Sequence, residues 1–131
     1  MFHPKNKPLV IIIEDESYVL KLLTVILGND FEIKTASTLE EALGVLCNHH
    51  MFACAILLDG ILHEVPTISL IQLLEEVGFD LKKVIAMSGN TTMQEALINA
   101  GCFQEGLAKP FSGKKVWKVL ESAGITAART T

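Results

Sequence analysis

Ala55-Ile56-Leu57-Leu58-Asp59-Gly60, close to the middle of the chain, places four apolar residues directly before one carboxylate and a glycine. A short continuous apolar run is typical of a strand that is buried on both faces, as strands are in a parallel sheet. Gly60 allows the backbone to turn, so Asp59 is predicted to stand at the carboxyl end of this strand. Ligands of open α/β sheets bind at that edge. Asp59 is therefore either a cap for the following loop or a functional group.

Four further strands and five helices are predicted from the rest of the sequence. The predicted strands cover residues 9–13, 31–36, 53–58, 83–87 and 106–108. Apolar residues recur at helical spacing after each strand, and Pro66 suits the first turn of the third helix, 66–77. This alternation predicts one α/β domain with a parallel sheet, right-handed crossovers and helices on both faces. We expect the domain to cover residues 9–121, between an N-terminal arm at 1–8 and a C-terminal tail at 122–131.

Composition and charge argue against several classes of protein. Half of the 131 residues are apolar and mean hydropathy is +0.40, which a disordered chain would not have. The net charge of −4 argues against a nucleic-acid-binding domain and fits partners that are proteins or small charged ligands. The three cysteines are odd in number and have no CxxC spacing, so they indicate reduced thiols. Since neither a signal peptide nor a membrane helix is visible, we expect a cytoplasmic protein without membrane contact.

Polar residues follow four of the predicted strands at the point where each strand ends. They are Glu14, Asp15 and Glu16 after the first, Asp59 after the third, Ser88 after the fourth and Lys109 after the fifth. Taken singly, the acids and the serine could cap helices and the lysine could be a surface residue. Taken together, they lie on one edge of a parallel sheet. This arrangement predicts a functional crevice.

The chemistry of these side chains points to phosphoryl transfer. Clustered carboxylates repel one another, and a hard divalent cation such as Mg²⁺ relieves that repulsion. A metal ion on Glu14, Asp15 and Asp59 would leave positions open for the oxygens of a phosphate. Lys109 would add a second positive charge and Ser88 a hydrogen bond. Asp59 would then be the nucleophile that forms an aspartyl phosphate.

Four motifs resemble those of the response-regulator receiver domains of two-component signalling. They are Ile12-Ile13-Glu14-Asp15-Glu16, Leu57-Leu58-Asp59, Ala86-Met87-Ser88-Gly89 and Ala108-Lys109-Pro110-Phe111. Each motif is weak alone, but all four occur in the family's order and at its separations. The resemblance covers residues 9 to about 121.

The resemblance implies a flavodoxin-like (βα)5 fold with a five-stranded parallel sheet of order 2-1-3-4-5. It implies that a histidine kinase or phosphotransfer protein phosphorylates Asp59, with Mg²⁺ held by the acids and the main-chain carbonyl of Ile61. Ser88 would be the switch hydroxyl, and the Lys109-Pro110 bond would be cis. The chain resembles the stand-alone regulators, which signal by changing a partner-binding surface. We expect no enzymatic activity beyond self-phosphorylation and slow autodephosphorylation.

Two loops depart from the family pattern. Four and eight residues after Asp59, where receivers often have proline and glycine, this chain has His63 and Thr67. Three residues before Lys109, the usual aromatic is Gly106, and the preceding segment contains Phe103. Activation is therefore hypothesised to reorder the backbone of residues 101–107 and move Phe103. The alternative is that Phe103 belongs to fixed core packing.

Three rival interpretations remain open at the level of sequence. The chain could be a receiver-like binding module that no longer uses phosphorylation. It could be a phosphatase that resembles the haloacid dehalogenases, but their second aspartate, two residues after the nucleophile, is Ile61 here. A flavin-binding flavodoxin is disfavoured because the first strand–helix turn is acidic and would repel a phosphate.

Overall fold

The computed structural model describes residues 7–127. In chain order its elements are β1 (Leu9–Ile13), α1 (Ser17–Leu27), β2 (Glu32–Ala36), α2 (Leu39–His49), β3 (Ala53–Asp59), β4 (Ile61–Leu62), β5 (Val65–Pro66), α3 (Ile68–Glu76), β6 (Val84–Ser88), α4 (Thr91–Asn99), β7 (Leu107–Ala108) and α5 (Gly113–Ser122). Short 3-10 helices at His50–Phe52 and Leu81–Lys83 precede β3 and β6. Within the described residues, none of the helices combines the length and apolar character that a membrane crossing requires.

Five parallel strands form the main sheet in the order β2-β1-β3-β6-β7. Since β6 and β7 are the fourth and fifth strands of this sheet, the predicted order 2-1-3-4-5 is confirmed. The register pairs Ile13 with Leu58 and Asp59 with Met87, and it pairs Ser88 with Ala108. The carboxyl ends of β1, β3, β6 and β7 therefore meet at one edge of the sheet.

The core consists of two apolar layers, one on each face of the sheet. Successive strand residues point to opposite faces, so the continuous apolar runs of β1 and β3 supply both layers. Helices α2, α3 and α4 cover the face that includes Ile11 and Ile56. Helices α1 and α5 cover the face that includes Ile12 and Leu57. Fully burying one such side chain stabilises the fold by roughly 1.5 to 3 kcal/mol, which explains why β1 is apolar throughout and β3 is apolar up to Asp59.

The segment after β3 differs from the sequence prediction. Pro66 was expected in the first turn of the third helix, but α3 begins at Ile68 and Pro66 lies in β5. β4 and β5 form a small antiparallel hairpin in which Leu62 pairs with Val65. The two residues of its turn, His63 and Glu64, have positive φ angles of 48° and 68°. Such a two-residue turn closes a hairpin, and the helix starts only after it.

The two ends of the described chain pack against the domain. The carbonyl of Pro8 accepts a hydrogen bond of 2.8 Å from the Glu32 N–H. α5 runs to Ser122, one residue past the expected boundary of the domain, and Ala123 and Ile125 are buried beyond it. The rest of the expected arm and tail, residues 1–6 and 128–131, lies outside the described residues.

Candidate functional site

An open cleft of about 600 Å³ lies at the carboxyl edge of the sheet. Its lining includes Asp15, Asp59, Ile61, Ser88, Lys109 and Pro110. Asp59 is the last residue of β3 and Ser88 is the last residue of β6. Asp15 follows β1 and Lys109 follows β7, and the Lys109-Pro110 bond is cis, as the resemblance implied. The structure therefore brings together the strand-end residues that the sequence singled out.

Lys109 is the positive centre of this cleft. Its Nζ lies 2.8 Å from Oε1 of Glu14, 2.9 Å from Oε1 of Glu16 and 3.2 Å from Oδ2 of Asp59. Burial lowers the pKa of Lys109. The hydrogen bonds to Glu14 and Glu16, together with the negative charges of Glu14 and Asp59, outweigh burial, and the pKa lies above its ordinary value. The lysine therefore stays charged and offsets the crowding of three carboxylates. The sequence alone predicted no role for Glu16 in the site beyond its place in the acidic run.

Glu14 is the most deeply buried acid of the cluster. Its side chain has no exposed surface, and Oε2 accepts a hydrogen bond of 3.1 Å from the Glu16 N–H. Desolvation raises the pKa of Glu14 to about 7, although the hydrogen bond from Lys109 opposes the shift. Its Oε1 lies close to the lysine but has no hydrogen bond of good geometry. Glu14 therefore holds a proton more readily than an ordinary carboxyl group does.

Asp15 is tied to the tip of the hairpin. Its Oδ2 accepts a hydrogen bond of 2.8 Å from the His63 N–H, and the imidazole Nδ1 lies 3.7 Å away. Burial raises the pKa of Asp15. The hydrogen bonds from the His63 N–H and from its own N–H, with smaller contributions from the His63 side chain and Glu14, together outweigh burial, so the pKa lies below its ordinary value. Asp15 is thus the acid of the pair that is readily ionised.

The three predicted metal ligands converge. One carboxylate oxygen from each of Glu14, Asp15 and Asp59 lies within 4.8 Å of the other two. This set of hard oxygen donors fits Mg²⁺, and Oε1 of Glu14, which lies 2.8 Å from Lys109, has no well-aligned hydrogen-bond donor. Ile61 lines the same cleft, and its N–H donates to Oδ1 of Asp59 at 3.3 Å. These residues could hold a divalent cation beside the Asp59 carboxylate.

Ser88 makes its hydrogen bonds within its own loop. Its Oγ accepts from the Asn90 N–H at 2.9 Å and donates to the Asn90 carbonyl at 3.0 Å. Asn90 is also the N-cap of α4, since its Oδ1 accepts from the Met93 N–H. The Ser88 hydroxyl, which the resemblance implies to be the switch, is therefore joined directly to the N-cap residue of α4.

Two residues near the site escaped the sequence analysis, Thr67 and Gln94. Thr67 is fully buried, and its Oγ1 donates a hydrogen bond of 2.6 Å to the main-chain carbonyl of Asp59. The sequence showed Thr67 only as a replacement for a glycine of the family. Gln94 lies on α4, and its Oε1 is buried without a hydrogen-bond partner. A hydroxyl at the start of a predicted helix was the one available signal for Thr67, and no signal marked Gln94.

Gly106 is crowded. A Cβ atom there would lie 2.2 Å from Nε2 of Gln94 and 2.8 Å from the carbonyl oxygen of Ala86. Phe103 packs against the core on the α1 and α5 face of the sheet, and its N–H donates to the Val84 carbonyl at 2.9 Å. The side chain that fills the space beside Gly106 is therefore Gln94, from the opposite face.

No protein-family model matches this sequence, and no curated protein matches it. Solved structures do. A response regulator receiver domain protein from Clostridium thermocellum has a TM-score of 0.76 at 20% identity, over 88% of this chain and 92% of that chain. The receiver domain of NtrX from Brucella abortus has a TM-score of 0.75 at 23% identity, over 87% and 96%.

A chain of the CheX–CheY–BeF3–Mg²⁺ complex from Borrelia burgdorferi has a TM-score of 0.75 at 25% identity, over 90% of both chains. These similarities cover most of the chain. They confirm that its fold is that of the receiver domains that the four motifs resemble.

Proposed function

We propose that this chain, which has the fold of response-regulator receiver domains, accepts a phosphoryl group on Asp59. One observation carries the proposal. Asp59 ends the central strand within 3.2 Å of the Lys109 ammonium, and its oxygen lies within 4.8 Å of oxygens of Glu14 and Asp15. An acid cluster with one lysine, open to a cleft, has the groups that a transferring phosphoryl group needs.

In the proposed reaction an oxygen of the Asp59 carboxylate attacks the phosphorus of a phosphodonor. A new P–O bond forms while the bond to the leaving group breaks, and the leaving group departs with the electron pair. The leaving group is acetate for acetyl phosphate and an imidazole, which then takes a proton, for a phosphohistidine. Glu14, Asp15 and Asp59 would hold a Mg²⁺ ion, which would supply positive charge to the phosphoryl oxygens. Lys109 exchanges part of its contact with Glu14 and Glu16 for a phosphoryl oxygen.

The hydroxyl of Ser88 is placed to couple phosphorylation of Asp59 to a change at the protein surface. In this structure it is bonded to Asn90, at the first turn of α4. When it turns to a phosphoryl oxygen on Asp59, the Asn90 N–H and carbonyl lose their partner. We propose that the surface of α4, β7 and α5 changes as a result and alters the binding of a downstream protein. The phosphodonor in the cell would be a histidine kinase or a histidine phosphotransfer protein.

Intact mass spectrometry tests this proposal. The protein is incubated with acetyl phosphate and Mg²⁺, beside Asp59→Asn and a control, Asp80→Asn, which changes an exposed aspartate away from the cleft. Wild type and the control should each gain one phosphoryl group, and Asp59→Asn should gain none. If wild type gains none, the chain is a receiver-like module that does not use phosphorylation. If Asp59→Asn is modified as fast as wild type, the nucleophile is another residue.

A further inference from the structure

Thr67 stands at the start of α3 but does not cap it. It is the N-cap residue, yet its side chain makes no hydrogen bond to the N–H groups of the first turn. Such a cap bond usually stabilises a helix by about 1 kcal/mol. The hydroxyl donates instead to the main-chain carbonyl of Asp59, at 2.6 Å, in a fully buried position. The Thr67 side chain therefore stabilises the main chain of Asp59, the proposed nucleophile, and does not stabilise the first turn of α3.

The main chain of Thr67 makes a second bond to the same segment. Its N–H donates to the carbonyl of Gly60 at 3.0 Å. The two bonds hold the carbonyls on either side of the Gly60 Cα, which is the most freely rotating backbone position next to Asp59. Together with the bond of 2.9 Å from the Gly60 N–H to the Met87 carbonyl, they restrain the dihedral angles of that glycine, and with them the direction in which the Asp59 residue faces.

These bonds close a loop that also reaches the metal-binding acids. We call residues 59–67 the acceptor hairpin. It is closed at its base by Thr67, it is held together by the pairing of β4 with β5, and at its tip the His63 N–H donates to Asp15. The nucleophile and a predicted metal ligand are thereby attached to one closed segment.

We propose that Thr67 is a positioning residue for phosphoryl transfer to Asp59, and this inference rests on the function proposed above. Its hydroxyl holds the base of the acceptor hairpin, so that the Asp59 carboxylate faces the cleft beside Lys109. Thr67 acts through bonds to the main chain of Asp59 and Gly60 and is not among the residues that line the cleft. A displacement of the nucleophile of about 1 Å can slow a positioned reaction by about 100-fold, so loss of one hydroxyl has a measurable effect.

Two matched variants separate positioning from packing. Thr67→Val keeps the shape of the side chain but removes the donor, and it leaves the Asp59 carbonyl without that partner. Thr67→Ser keeps the donor but removes a buried methyl group. If the hydroxyl positions Asp59, the serine variant retains the rate and the valine variant loses it. If Thr67 contributes to stability alone, the two variants unfold more easily than wild type and neither changes the rate.

The rate of Mg²⁺-dependent phosphorylation by acetyl phosphate is measured by intact mass, over a range of donor concentrations, at a temperature where urea unfolding shows each protein to be folded. We expect Thr67→Val to lower the maximal rate by about 10- to 100-fold with an unchanged half-saturating concentration. Thr67→Ser should stay within about 3-fold of wild type, since a hydroxyl at the same position restores the bond.

Equal rates for the valine variant and wild type would overturn the positioning role while leaving the proposed function intact. A wild-type protein that gains no phosphoryl group would overturn both. If Thr67→Val does not fold, Thr67→Cys replaces it, because a thiol keeps the size and is a weak donor. The cysteine variant should be phosphorylated more slowly than Thr67→Ser but still measurably, whereas Asp59→Asn gains no phosphoryl group. A wild-type rate for Thr67→Cys would overturn the proposal.

Discussion

Replacement of Lys109 by methionine should destabilise the protein in a way that depends on pH. The ammonium contacts three carboxylates, and two of them, Glu14 and Asp59, have only 0% and 7% of their side-chain surface exposed. Removing one partner of a buried ion pair typically costs about 3 to 5 kcal/mol, because the remaining charge is left without compensation. Methionine is close in length and apolar, so the loss of packing is small. We therefore expect Lys109→Met to lower the free energy of unfolding at pH 8 by about 3 kcal/mol.

Glu14 sets the pH window of this effect. Its pKa is raised by burial from 4.5 to about 7 in the folded protein. A group whose pKa is higher folded than unfolded stabilises the fold fully below the unfolded value, and this contribution is lost as pH rises through the folded value. Without Lys109, which lowers the pKa of Glu14, the carboxyl group keeps its proton to a higher pH. The free energy of unfolding of Lys109→Met should therefore fall further below that of wild type as pH rises above 7, by at most about 1.4 kcal/mol per pH unit.

Urea unfolding at pH 6 and pH 8 measures this difference, with and without Mg²⁺. Lys115→Met, which removes an exposed lysine from α5, is the matched control and should change stability by less than about 0.5 kcal/mol. Mg²⁺ should recover part of the loss in Lys109→Met, since a divalent cation among the same acids replaces the missing charge. A loss below about 1 kcal/mol, or the same loss at both pH values, would refute the reasoning that Lys109 compensates buried carboxylates.

Four further variants test other parts of the structure. Asp15→Ala should fold but weaken Mg²⁺ binding by at least about 10-fold in an NMR titration, and unchanged affinity would exclude Asp15 as a ligand. Glu64→Gly should raise the free energy of unfolding by about 0.5 to 1 kcal/mol, because Glu64 is exposed at φ 68°, and a loss would contradict the strain argument. Gly106→Ala should cost about 1 to 3 kcal/mol through its contact with Gln94 and the Ala86 carbonyl, as urea unfolding can check. Gln94→Met should stabilise the protein by about 1 kcal/mol, since it removes a buried oxygen without a partner, and lower stability would show that the oxygen is satisfied.

The sheet was predictable because its inner strands, β1, β3 and β6, are short apolar runs buried on both faces. The runs at Leu9–Ile13 and Ala53–Asp59 each end directly at acids, so the sequence itself marks where the strands stop. Parallel topology then places the strand ends on one edge. For this reason the proximity of Asp59, Asp15 and Lys109 followed from positions in the sequence alone.

The acceptor hairpin was not predictable from the same rules. Its two strands have two residues each, and its turn has His63 and Glu64 where such turns usually have Asn and Gly. Pro66 is typical of the first turn of a helix, and no feature of the local sequence shows that it belongs to the hairpin instead. The Thr67 hydroxyl bonds to the main-chain carbonyl of Asp59, eight residues earlier. Because every residue has a main-chain carbonyl, the sequence does not show which one accepts this bond.

The crowding at Gly106 depends on a side chain from another element. The sequence shows a missing aromatic ring at this position, and Phe103 was the nearest aromatic residue to consider. Only the three-dimensional structure shows that Gln94, twelve residues earlier, occupies the space and that Phe103 packs on the other face of the sheet. Contacts between a helix and a distant loop leave no periodic pattern in the sequence.

The central claim is that the Asp59 carboxylate is the phosphoacceptor, and site-specific reduction tests it most directly. The protein is treated with acetyl phosphate and Mg²⁺, and borohydride then reduces the acyl phosphate, which converts the modified aspartate to homoserine. Peptide mass spectrometry locates that residue. We predict homoserine at position 59 and unmodified acids at Glu14, Asp15 and Glu16. Homoserine at position 15 with an intact Asp59, or no reduced residue in a protein that has gained phosphoryl mass, would contradict the assignment.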